Sequence, residues 1–75
     1  MKRKTVVLVA GEGVELHPSA RMGEKRVAPG DWVLVRLGAA PEAGGLGLVY
    51  DGQRLLLTRE PGNRPWLGCL VWRLG

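Results

Sequence analysis

Leu46-Gly47-Leu48-Val49-Tyr50-Asp51-Gly52-Gln53-Arg54-Leu55-Leu56-Leu57-Thr58-Arg59 decides the fold of this chain. Two apolar runs of strand length flank an Asp-Gly step, the strongest short-range signal for a β-hairpin. The strands Leu46 to Tyr50 and Arg54 to Arg59 are expected to pair across Asp51-Gly52 in a type I′ turn, with φ > 0 at both central residues. Along the second strand the alternation puts Arg54, Leu56 and Thr58 on one face and Leu55, Leu57 and Arg59 on the other, so that both arginines are read as solvent-facing.

The same grammar extends outward. Thr5 to Ala10, Val14 to Leu16, Trp32 to Leu37, Leu46 to Asp51, Gln53 to Arg59 and Trp66 to Leu74 read as strands between Gly and Pro punctuation, and no stretch keeps a helical period over three turns. The expectation is an all-β single domain over residues 1–75, a small barrel or folded sheet of about six short strands. The segment 38–45 is read as a loop with room for a short helical turn at Ala39, Ala40 and Ala43. Ser19 to Ala28 is the least patterned segment and reads as a flexible or functional loop. With no Phe in the chain, the tryptophans are expected to supply core volume, about two of the three being mostly buried.

Composition bounds the function. A chain of 75 residues is near the lower limit for independent folding, which makes an added dimer interface reasonable. Cys69 is the single cysteine and reads as a small core hydrophobe, so neither an internal disulfide nor a metal site is expected. The apolar run after Met1-Lys2-Arg3-Lys4 is too short for a secretory signal or a membrane span, and a cytoplasmic protein is expected. Arg outnumbers Lys, and Asn and Gln occur once each, a bias suited to a thermophile. The net charge of +4 favours acidic or phosphate-bearing partners.

Individual polar residues have ordinary readings. Gly11-Glu12-Gly13 is a turn rather than a dinucleotide fingerprint, and Asp31 at a strand start serves turn geometry. His17, with no Asp or second His nearby in sequence, reads as a surface or capping residue. Trp32, Trp66 and Trp72 beside Arg36, Arg64 and Arg73 also admit a nucleic-acid surface.

Pro29-Gly30-Asp31-Trp32-Val33-Leu34-Val35, the Thr58-Arg59 step that follows Asp31 by 27 residues (58 − 31), and the closing Leu67-Gly68-Cys69-Leu70-Val71-Trp72-Arg73 together resemble the LexA/signal-peptidase family of Ser-Lys peptidases, from about Ser19 to the C-terminus. In that resemblance Arg21-Met22 stands where the family carries its nucleophilic Ser-Met, and Thr58 stands where it carries its lysine. The segment before the closing strand is shortened to Pro61-Gly62-Asn63-Arg64-Pro65. The resemblance implies a LexA/signal-peptidase-like fold whose catalytic dyad is lost, because arginine is neither a usable nucleophile nor a base and threonine is no base.

The expected function is therefore a non-catalytic, pseudo-peptidase module that binds a protein or peptide. Its groove is bordered by Arg21 and Thr58, with Arg21, Met22, Arg26 and Arg59 as the binding residues and with no cofactor or metal. The alternative is a small basic β-barrel that binds nucleic acid weakly through phosphates. An active hydrolase built on Ser19 ranks below both. A homodimer through Trp66 to Leu74 is expected because that strand is apolar on both faces, Trp66, Gly68, Leu70, Trp72 and Leu74 on one and Leu67, Cys69 and Val71 on the other, and would sit at a sheet edge.

Overall fold

The computed structural model describes residues 4–74. Met1-Lys2-Arg3 and Gly75, which enter the readings of the chain ends above, lie outside them. Eight strands and no helix make up these residues: β1 (Lys4–Val9), β2 (Val14–Leu16), β3 (Arg21–Met22), β4 (Lys25–Arg26), β5 (Trp32–Leu37), β6 (Gly47–Tyr50), β7 (Leu55–Thr58) and β8 (Trp66–Leu74). Lacking a helix, the described residues contain none long and apolar enough to cross a membrane.

Six strands form one sheet in the order β1-β5-β8-β6-β7-β2, antiparallel except for the parallel pair β2-β7, and β3-β4 form a separate two-stranded ladder. Connectivity forces the large sheet to curl. Laid flat, its six strands would hold β1 and β2 about 24 Å apart. The link between them is residues 10–13, whose extended reach from Val9 to Val14 is at most about 18 Å. The sheet accordingly bends into a half-barrel with its edges drawn together, and Gly11 N–H donates to Val14 O at 2.8 Å across that link.

The inner face carries the core. Val33 and Val35 of β5, Leu48 of β6, Leu57 of β7, Leu70 of β8 and Val14 of β2 are buried, and Ala10, Ala20 and Val27 join the cluster. Alternation works here as the sequence implies: in β5 the two buried valines fall between the exposed Trp32 and Arg36. Each Val or Leu so buried contributes about 1.5–3 kcal/mol.

Several expectations are corrected. The β6-β7 connection is not a type I′ turn, since the only positive-φ residue in it is Gly52 (φ 98°). Asp51 instead folds a four-residue loop by accepting the N–H groups of Gln53 and Arg54 on one carboxylate oxygen, both at 2.9 Å, which satisfies those amides with Asp51 kept at negative φ. Segment 38–45 holds a turn at Ala43-Gly44 and no helical turn. The Ser19 to Ala28 loop contains a small hairpin, with Met22 paired to Lys25 across Gly23-Glu24. Gly23 at φ 63° is the first central residue, as a type II′ turn requires.

The C-terminal strand departs furthest from expectation. β8 lies between β5 and β6 in the interior of the sheet, so the unpaired edge that motivated a dimer through Trp66 to Leu74 does not exist. Two register shifts also break its simple alternation. Leu34 pairs with Trp72 while Val35 pairs with Leu70, leaving Val71 as an inserted residue and moving Trp72 to the outer face. Similarly Leu48 pairs with Gly68 and Val49 with Trp66, leaving Leu67 inserted. The tryptophans are consequently not the core: Trp32 and Trp72 are 56% and 59% exposed, and the half-buried Trp66 ring lies over the outer side of Gly47. Cys69 is likewise only partly buried, on the outer face opposite Arg36.

Candidate functional site

Residues 17–21 fold onto the end of β7, and the chemistry of that junction starts from His17 and Ser19. The Ser19 backbone N–H donates to His17 Nδ1 at 3.1 Å, which makes Nδ1 the unprotonated ring nitrogen. Ser19 Oγ lies 2.8 Å from the same Nδ1 and 3.3 Å from Thr58 Oγ1, and it accepts the Arg59 N–H at 2.9 Å. Thr58 is wholly buried. Its Oγ1 accepts the Glu60 N–H at 2.9 Å and lies 3.2 Å from Glu60 O, a second acceptor for its hydroxyl proton.

This Ser–His contact lacks the arrangement of a hydrolase. The single lone pair of Nδ1 already receives the Ser19 amide, which leaves it badly placed to take the hydroxyl proton. The acid that meets the ring among the described residues, Glu60, has Oε2 3.9 Å from Nδ1 itself, whereas a triad needs its acid on the opposite nitrogen. Ser19 Oγ is held by groups on both sides of the junction. Its evident role is to pin residues 17–20 to β7.

Arg59 completes the junction. It was read above as solvent-facing, yet its guanidinium donates to Gly44 O at 2.6 Å and to Arg21 O, tying together the loop before β6, strand β3 and the end of β7. A cleft of about 490 Å³ opens beside it, lined by Pro18, Ser19, Arg21, Gly23, Arg59 and Glu60. Of the two expected border residues, Arg21 lines this cleft, while Thr58 is sealed beneath Ser19 and its place on the wall goes to Arg59 and Glu60. Met22 packs against the core instead of lining a cleft. Arg26 lies elsewhere, in a cleft of about 330 Å³ with Leu16, His17, Val27, Ala28 and Pro29.

The strand β2, which the sequence reading left out of the site, borders a larger opening. A cleft of about 700 Å³ is lined by Gly11, Gly13, Val14, Glu15, Leu16, Pro29, Gln53 and Arg54. Leu16 and Pro29 line both this cleft and the Arg26 cleft, so the two form one trough along β2. On that side β2 has no strand neighbour among the described residues. Backbone direction follows from the ladder: His17 N–H points to β7, bonding Leu57 O at 3.0 Å. By alternation Leu16 points its N–H and C=O away from β7, into the trough. Arg54 and Glu15, ion-paired, sit at one end and Arg26 near the other. At the trough's far wall Asp31 holds the 28–31 turn, its carboxylate accepting the Ala28 N–H at 2.9 Å as expected for a strand-start Asp. Among the described residues no three His, Cys, Asp or Glu side chains converge as a metal site. The signal that points to β2 is in the sequence: a three-residue strand after two glycines leaves room for a backbone to approach.

Comparison of the chain with known protein families, with curated proteins and with solved structures gives no match.

Proposed function

We propose that this chain is a non-catalytic module that binds an extended peptide as an added strand along β2. The observation that carries this reading is the open edge of β2 facing a trough that Gly11, Gly13 and Pro29 help to line. A peptide laid there would gain main-chain hydrogen bonds from Leu16 and place alternate side chains into the two halves of the trough. The exposed Arg26 near one end of the trough favours peptides carrying Asp or Glu.

The non-catalytic half of the proposal rests on the Ser19 junction and accords with the resemblance to a peptidase frame that has lost its dyad. The test has two arms. A serine-reactive fluorophosphonate leaves the protein unlabelled; labelling that disappears in Ser19→Ala would sink this half. Peptides selected from a random nine-residue library slow amide hydrogen exchange at Leu16; selected binders that protect only amides remote from β2 would displace the site.

A further inference from the structure

The outer face of β1, β5 and β8 shares no residue with the trough or the Arg21 cleft. Register sets its layout: Val7, Leu34 and Trp72 form one row across the three strands, and Val9 and Trp32 begin the next. Val7 is 50% exposed, Trp32 56% and Trp72 59%, with the inserted Val71 at 38%. Trp32 and Trp72 are diagonal neighbours on adjacent strands, with side-chain origins about 7 Å apart. Two large rings thus stand side by side in water on a rigid sheet, where single scattered apolar residues would need no explanation.

The charge that register places on this face is positive. Of the charged residues of β1 and β5, Arg36 lies on it, and β1, β5 and β8 contain no Asp or Glu. Arg36 lies on the outer face, opposite Thr5 and Cys69, and is exposed. A second copy of this chain fits the face poorly. Two-fold packing would bury Arg36 of both copies in one apolar seam with no carboxylate from these strands to pair it, and desolvating unpaired charge is costly. The occupant must instead bring negative charge and flat apolar groups at short, regular intervals. Single-stranded nucleic acid does both, stacking bases on aromatic rings while its phosphates meet cations.

We propose that this face binds single-stranded DNA or RNA, with Trp32 and Trp72 each stacking a base and Arg36 meeting the backbone. Binding is tolerant of sequence, since every base offers a stacking face. The probe is the oligonucleotide dT12, titrated at low salt while tryptophan fluorescence is followed, with a twelve-base-pair duplex as comparison. Saturable quenching by dT12 is expected, with weaker binding of the duplex. Trp72→Ala and Trp32→Ala each weaken dT12 binding roughly ten-fold or more, without lowering the thermal midpoint. Arg36→Ala reduces the slope of log affinity against log salt by about 0.7.

Three results would overturn the proposal. The first is no binding of dT12. The second is duplex binding as tight as dT12 binding with both tryptophan variants unchanged, which means diffuse electrostatics. The third is a dimer in sedimentation that Trp72→Ala dissolves and dT12 does not, which assigns the face to a second copy. Neither the trough nor Ser19 enters these readouts, so the peptide reading stands or falls separately.

Discussion

The inner and outer faces of one sheet are built from different apolar residues. On the inside, Val33, Val35, Leu48 and Leu57 are between 0% and 2% exposed, with alanines filling the gaps. On the outside, Trp32 and Trp72 stand in water, while the Trp66 ring lies over Gly47 and Val49, the register partner of Trp66, is fully buried. Curvature explains the division. Side chains on the concave side of a half-barrel converge on a small volume that short aliphatic groups fill at normal density. Those on the convex side splay apart and leave room for rings. Large aromatics are therefore a poor guide to the core of a strongly curled small sheet.

The largest expected effect breaks that comparison directly. Leu57→Ala leaves a cavity in the sealed face and should cost about 2–5 kcal/mol, whereas Trp72→Ala should change stability by no more than about 0.5 kcal/mol. Urea unfolding of the two variants measures both. Equal losses would show that the outer face is packed against something after all.

Gly47→Ala tests the one place where the outer face is sealed. A Cβ there would stand 2.6 Å from Gly68 O and 2.7 Å from the Trp66 ring. Overpacking of this kind costs about 1–3 kcal/mol. Adding Trp66→Leu should restore only part of the loss, because the carbonyl contact stays. A Gly47→Ala protein as stable as the parent would remove Trp66 from its position over the strand.

Ser19→Ala sharpens the comparison at the rim, where polar groups rather than curvature hold the chain. The Arg59 N–H loses its acceptor and Thr58 loses a neighbour, a loss of about 1–3 kcal/mol. Faster amide exchange at Arg59 and Ala20 should accompany it; unchanged exchange there would mean that the junction holds without the hydroxyl.

The smallest effect concerns Asp51. The N–H groups of Gln53 and then Arg54 hold its carboxyl below the usual carboxylate range. A pKa depressed by folding adds stability above the unfolded value and loses it as pH falls through the folded one. The parent should therefore exceed Asp51→Asn slightly in thermal midpoint at neutral pH, and the gap should close on acidification below about pH 4. A gap of constant size from pH 7 to pH 2 would remove the charged turn from the account.

Local pattern alone carried much of this architecture. The all-β class and the bounds of β2, β5 and β8 follow from runs and alternations only a few residues long, because pleat period and glycine punctuation act over that range. Arg21, Arg26 and Arg59, read from the sequence as binding residues, lie at clefts or junctions in the structure. Tertiary structure decided what depends on register. Whether Trp72 shares a face with Leu70 turns on one inserted residue, Val71, whose presence in the ladder is set by a partner strand some 36 positions away (70 − 34). The same dependence put β8 inside the sheet, made β2 the open edge, buried Thr58 under a serine 39 residues earlier and turned Arg59 from a solvent-facing residue into a tie. Each is a long-range pairing among near-equivalent apolar runs, and only the closed set of hydrogen bonds chooses between them.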